Sequence, residues 1–255
     1  MEKTWLVMDI ETFAEEAGQE GATAGAGGGE GQVQGGGAKG QAAGKSFPPA
    51  HLHRVIAIGY LLLGEKGEMR KLGVLGEGRD EKAILEDFHR SMTGRLPWLV
   101  TYNGRKFDVP VILLRSLKHG LSMEWYFRAH GGLYYDRRYP PTKHLDLCDA
   151  LSEHGAASFA SLDAVSSLLG LRGKTGMDGG MVQEEFLKGN IVKIENYCLS
   201  DVLLTACVFL RTMLLMGELS SAAHNAAIDS LVEGIRGDAR VADFLAEQDP
   251  GRLKV

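Results

Sequence analysis

Apolar residues crowd Trp5-Leu6-Val7-Met8 and return at Ile10, a short dense run that predicts a strand over residues 4–10. A second strand is predicted from Arg54 to Leu63 and a third from Glu68 to Leu75, joined by the turn Gly64-Glu65-Lys66-Gly67. From Asp80 the period changes: Ile84, Leu85, Phe88 and Met92 fall on one helical face, so residues 80–92 read as a helix. Pro97 to Tyr102 is again a short strand. Asp108 to about Lys118 is a helix with Pro110 in its first turn, where the missing N–H costs nothing. Leu145 to Leu147 suits a strand end. Further helices are expected over Phe159–Leu169, stopped by Gly170, over Met181–Lys188, and over the long Ile191–Met216. Residues 218–248 read as helical, with a break at Gly234 and Gly237. Strands first, then strands alternating with helices, define an α/β chain.

Residues 17–46 interrupt this pattern. They hold 12 Gly and 7 Ala and no aromatic residue. Such a stretch buries too little surface to offset its ordering entropy, so a disordered insert is expected. The main domain is expected over 1–216 around this insert, with a helical C-terminal extension over 217–255. No run of about 18 apolar residues stands out, so no membrane span is expected; Val55 to Leu63 is strand-sized. Met1 to Trp5 leads straight into a strand, unlike a signal peptide. Cys148, Cys198 and Cys207 lack CxxC spacing and suit buried thiols in a cytoplasmic protein.

Net charge is −5, too acidic for a nonspecific nucleic-acid coat. Locally the balance reverses. Between Thr101 and His144 lie eight basic residues, Arg105, Lys106, Arg115, Lys118, Arg128, Arg137, Arg138 and Lys143, against three acids. Tyr126, Phe127, Tyr134, Tyr135 and Tyr139 are interleaved. Bases among aromatics are what a single-strand groove uses for phosphate contact and stacking.

Four acids carry the candidate chemistry. Asp9 and Glu11 are two apart on a strand, so both leave the same face. Asp108 opens a helix, where it can also act as a cap. Asp201 is mid-helix among apolar residues, and Tyr197, four positions earlier, shares its face. If these converge, two like charges about 4 Å apart repel by roughly 4 kcal/mol at an effective dielectric near 20, so a cation is required. An oxygen-only cluster suits Mg²⁺ or Mn²⁺. Asp146 is a fifth acid at a strand end, expected to support the site or fix a loop. His53 reads as structural and His51 as surface.

Three segments together resemble a known pattern. Asp9-Ile10-Glu11, the run Asn103-Gly104-Arg105-Lys106-Phe107-Asp108, and Tyr197-Cys198-Leu199-Ser200-Asp201 resemble, in order, the three motifs of the DEDD superfamily of 3′–5′ exonucleases, tyrosine subgroup. His53 to Gly59, Phe107 to Ile112, His144 to Asp149 and Gly176-Met177-Asp178-Gly179 resemble in particular the predicted exonucleases related to the proofreading domain of family B DNA polymerases. The resemblance spans roughly residues 4–215, the insert excepted.

It implies a ribonuclease H-like mixed sheet flanked by helices, and a two-metal 3′–5′ exonuclease releasing nucleoside monophosphates. By the same resemblance Asp9 bridges two Mg²⁺ or Mn²⁺ ions, Glu11 and Asp201 complete one site, and Asp108 supports the other. Tyr197 orients the attacking water. Asn103, Arg105, Lys106 and Phe107 are expected to contact substrate, and the 176–180 loop to lie near it. The expected partner is a single-stranded DNA or RNA 3′ end, with a polymerase or repair protein acting in trans. An RNA 3′-end-processing exonuclease, or a binding module that kept the fold without the chemistry, are the alternative readings.

Overall fold

The computed structural model describes residues 3–15, 47–76, 78–172, 177 and 179–255. The Gly/Ala-rich stretch and Asp178 lie outside the described residues. Three strands come first: β1 (Trp5–Ala14), β2 (His53–Leu63) and β3 (Met69–Leu75). They are followed by α1 (Glu81–Arg95), β4 (Trp98–Thr101), α2 (Asp108–His119), α3 (Glu124–Phe127), β5 (His144–Asp146) and α4 (Leu147–Leu151). The chain then becomes helical: α5 (Leu162–Leu168), α6 (Val182–Leu187), α7 (Ile191–Leu215), α8 (Ser221–Ile235), α9 (Ala242–Glu247) and α10 (Pro250–Leu253).

The strands form one mixed sheet in the order β3-β2-β1-β4-β5. β1 pairs antiparallel with β2 and parallel with β4, and β4 pairs parallel with β5. This is the ribonuclease H-like mixed sheet with flanking helices. β1 is longer than its apolar run suggests, because Thr12, Phe13 and Ala14 stay paired with β2. The register shifts between Glu11 and Thr12, so a bulge sits beside the acidic pair. Glu15 N–H reaches Leu52 C=O at 2.7 Å, closing the two strands just beyond their paired ends.

Side-chain alternation divides the core. Leu6, Met8 and Ile10 of β1 pack with Ile84, Leu85 and Phe88 of α1 and Val111 and Ile112 of α2. Trp5 and Val7 face the other way, into Leu199, Val202, Leu203 and Phe209 of α7 and Ile228 and Leu231 of α8. Asp9 and Glu11 continue the Trp5–Val7 face, so the pleat points both toward α7.

α7 is a longer apolar stretch than Val55–Leu63, the run that stands out in the sequence. It is long and apolar enough to cross a membrane, with a mean hydropathy of 1.8 over its best window. That window is 78% buried against the sheet and its neighbours, as the core helix of this domain. Its polar positions, from Glu195 through Ser200 and Asp201, keep the N-terminal half from reading as a continuous apolar run.

Helix boundaries follow local chemistry. Asp80 caps α1, its carboxylate accepting from Ala83 N–H at 3.0 Å. Ser161 caps α5 in the same way, which moves the start of that helix to Leu162 and leaves Phe159 in a loop. The break after α8 falls at Gly237, whose φ is +83°. Gly234 stays inside α8, where it makes room for Met69: a Cβ there would sit 2.5 Å from Met69 Sδ. All three cysteines are free and buried.

Candidate active site

The acidic pair on β1, the start of α2 and the middle of α7 meet at one end of the sheet. Asp9 is half-buried, and Glu11, Asp108 and Asp201 are buried. Tyr197 hydrogen-bonds Asp201, and Asp9 and Glu11 lie close enough to act on it electrostatically. Burial first, and then these three carboxylates, push the Tyr197 hydroxyl far above its ordinary range, so it keeps its proton. Asp9 and Asp201 line an open cleft of about 430 Å³ together with Asn103 and Lys106.

Asp108 is the first residue of α2, not its cap; Phe107 holds that position. Its carboxylate accepts from its own N–H and from Ile10 N–H, which ties α2 to β1 between Asp9 and Glu11. Burial, and then the charges of Asp146 and Asp201, raise its pKa to about 7. The backbone donors oppose this but do not win.

A residue outside the predicted set joins the cluster. Cys198 Sγ lies 3.5 Å from the Asp9 carbonyl and 3.9 Å from its Oδ2. Ligand atoms of Asp9, Glu11 and Cys198 all fall within 4.8 Å of one another. Burial and the neighbouring carboxylates hold the thiol well above its usual pKa. The signal available in the sequence was position: Cys198 follows Tyr197 on a helix whose other face is core. α7 comes this close because β2 has Gly59 there, and a Cβ at Gly59 would meet Cys198 Sγ at 2.8 Å.

The Asn103–Asp108 segment is a built turn. Asn103 has φ +63°, a left-handed conformation that asparagine tolerates. Its carbonyl accepts from Lys106 and Phe107 N–H at 3.1 and 3.2 Å. Asp146 fixes the loop from the side: its carboxylate accepts from Asn103 N–H and Arg105 N–H, both at 2.8 Å, and also caps α4. Phe107 packs edge-on to His53 and Phe47. His53 is buried between Thr12 Oγ1 and the Pro48 carbonyl, a structural role, and His51 is exposed.

The basic, aromatic stretch is largely structural. Arg105 gives its guanidinium to the Arg137 and His144 carbonyls at 2.5 and 2.9 Å and to Thr142 Oγ1 at 3.2 Å. Arg115 is buried against Glu81, with two bonds of 2.7 Å, and against Glu15. Arg138 pairs with Asp149, and Arg137 lies over the Tyr134 ring. Tyr126 and Tyr135 are core residues. Lys106 is the base of this stretch that lines the cleft with Asp9 and Asp201. Most of these bases thus have partners within the chain, while Arg105, Lys106, Tyr126 and Arg138 also line one pocket.

Among the described residues, Asp9 and Glu11, with Cys198 beside them, bring ligand atoms within reach of one divalent cation, and Asp108 and Asp201 stand near enough to act on this group electrostatically. Without a cation this density of negative charge is unfavourable.

The fold is that of a nuclease-like α/β domain. Residues 45–248 match the family described as a predicted 3′–5′ exonuclease related to the exonuclease domain of PolB, and the chain belongs to that family. Among solved structures, the family B DNA polymerase from the hyperthermophilic archaeon Pyrobaculum calidifontis is similar, with 17% identity and a TM-score of 0.53. The similarity covers 96% of this chain and 28% of that polymerase. No curated protein matches the sequence.

Proposed function

We propose that the protein is a metal-dependent 3′–5′ exonuclease that removes nucleoside monophosphates from single-stranded 3′ ends, DNA being the favoured substrate. The observation that carries this reading is the approach of Asp9, Glu11, Asp108 and Asp201 to one another beside Tyr197, with Asp9 and Asp201 opening onto a cleft. Family membership supports the reaction class. Asp9, Glu11, Asp108 and Asp201 would hold two Mg²⁺ or Mn²⁺ ions. Bound there, such ions lower the pKa of a water and offset the charge that develops on the leaving oxygen.

The chain's own groups do the rest. Tyr197 stays protonated and orients a water by hydrogen bond toward the terminal phosphorus. The water oxygen bonds to phosphorus and gives up a proton to solvent, the bond from phosphorus to the 3′ oxygen breaks, and that oxygen takes up a proton from solvent. Asn103 and Lys106 contact the substrate from the cleft wall. Arg105 and Phe107 act through the loop they hold. A polymerase or repair protein would act in trans.

The test compares 5′-labelled single-stranded DNA, duplex DNA and RNA with Mn²⁺, with Mg²⁺ and with chelator. A descending ladder that needs metal is expected on single-stranded DNA. No cleavage under any condition, or early internal cuts in circular single-stranded DNA, would overturn the proposal.

A further inference from the structure

The group on β1 and α7 is not built of oxygen alone. Asp9, Glu11 and Cys198 each offer a ligand atom, and these atoms lie within 4.8 Å of one another. Cys198 Sγ is 3.9 Å from Asp9 Oδ2. One ion can touch both at that spacing, with bonds of about 2.3 Å to sulfur and about 2.0–2.2 Å to oxygen.

The chain places the sulfur there by two devices. Cys198 is three residues before Asp201 on α7, so the two side chains are neighbours on one flank of the helix. Gly59 then lets that flank settle onto β2, since a Cβ would meet the sulfur at 2.8 Å, and its own N–H donates to the sulfur. Donors of this kind orient and support a ligand atom. The thiol has no exposed surface, but Asp9 is half-buried and lines the open cleft, which gives an ion its way in.

Two carboxylates and a sulfur do not suit every divalent ion. Mg²⁺ takes oxygen ligands in a near-ideal octahedron and keeps its waters. Sulfur favours zinc-like ions, and affinity at mixed sites rises from Mn²⁺ through Co²⁺. Three protein ligands with a position left open for water is also how catalytic zinc is held. We infer that the ion held by Asp9 and Glu11 is ligated by Cys198 sulfur as well, which makes this position one for a transition metal. Of the two ions named above, Mn²⁺ then suits it and Mg²⁺ does not. On ligation the sulfur gives its lone pair to the ion and its proton to solvent, with no change of oxidation state. This rests on the exonuclease reading and adds the residue that selects its metal.

The experiment uses the full chain, stripped with chelator and reloaded with an equimolar amount of Zn²⁺ or Co²⁺. X-ray absorption at the zinc edge of wild type should show a sulfur neighbour at about 2.3 Å. Co²⁺ should bring up an intense near-ultraviolet sulfur-to-metal band. Cys198→Ser should lack the band, and a protein carrying Cys148→Ala with Cys207→Ala should keep it. In competition with a fluorescent chelator, Cys198→Ser should lose at least the roughly 10–100-fold in Zn²⁺ affinity that follows loss of a ligand's outer partner. Mn²⁺ affinity should fall less, and Mg²⁺ affinity should not change. A zinc edge with only oxygen or nitrogen neighbours overturns the inference, and this reading needs no variant to fold. Equal losses for Zn²⁺ and Mg²⁺ overturn it too, since they would mark Cys198 as packing alone. If strands are cut equally well with Mg²⁺ and Mn²⁺ and no sulfur is found at the metal, the exonuclease reading stands and this inference fails. If sulfur is found but no metal supports cleavage, the exonuclease reading fails and the ligation stands.

Discussion

Gly59 stands opposite Asp9 in the β1–β2 register, and α7 packs directly against it. The missing side chain leaves room for Cys198 and Val202; a Cβ would sit 2.8 Å from Cys198 Sγ and 3.0 Å from Val202 Cγ2. Both neighbours are fully buried and cannot swing away.

Gly59→Ala should therefore push α7 off β2 and separate Asp201 from Asp9. Overpacking of this kind costs about 1–3 kcal/mol. The expected result is a folded protein with lowered melting temperature and a large loss of cleavage. A variant that melts and cleaves like wild type would show that the close approach has no bearing on the site.

Asp108→Asn keeps an oxygen for the Ile10 N–H and removes only the charge. The fold should be retained while turnover falls by about a hundredfold or more, as expected when a charged group at a reacting centre is lost. Asp201→Ala should abolish cleavage. Circular dichroism together with the labelled-strand assay checks both, and near-normal turnover in either would remove that residue from the site.

Tyr197→Phe retains the ring and deletes the hydroxyl. Turnover should drop by about 10²–10³, the range for one lost positioning group. Metal affinity, oligonucleotide affinity and melting temperature should stay near wild type. Normal turnover, or a much earlier melt, would make Tyr197 a core residue.

The ends of the Gly/Ala-rich stretch are held together independently of it. Ala14 pairs with His53, and Glu15 N–H bonds Leu52 C=O. Deleting residues 18–45 in favour of a short linker should leave the melting temperature within a few degrees. A large drop in thermal unfolding would show that the stretch contributes contacts.

His89 predicts a pH effect far from the cleft. Its Nε2 bonds Ser116 Oγ at 2.8 Å, and Trp125 Nε1–H donates to its Nδ1 at 3.2 Å. Burial lowers its pKa to about 4, and a proton on Nδ1 would face the Trp125 donor. The unfolded chain takes this proton more readily, so stability is full above pH 6.5 and is lost as pH falls through 4. The loss is roughly 3 kcal/mol by linkage. Denaturant unfolding from pH 4 to 7 should show a shallower dependence in His89→Asn than in wild type; equal slopes would exclude His89.

The parts of this molecule that sequence patterning reveals are those governed by local periodicity. The alternation in β1 places Asp9 and Glu11 on one face, and the four-residue step in α7 aligns Tyr197 with Asp201. Asp146 at its strand end was legible as a loop-fixing acid for the same reason. What periodicity cannot show is partner choice at long range. Cys198 and Asp9 are 189 residues apart in the chain. Arg105 and Arg115 look like substrate-facing bases until the carbonyls and Glu81 that take them are in view. Phe159 read as the start of a helix, because Ser161 competes for the cap only by a hydrogen bond that spacing does not reveal.

α7 carries Tyr197 and Asp201 and is also the helix on which both the sheet and α8 rest. Its buried turns have no route to open that leaves the rest of the domain intact. The amides of Cys198 to Leu210 should thus be among the last to exchange with deuterium, at rates set by global unfolding. Heat inactivation should follow the melting curve of the whole domain, with no earlier phase in which a folded protein has lost its site.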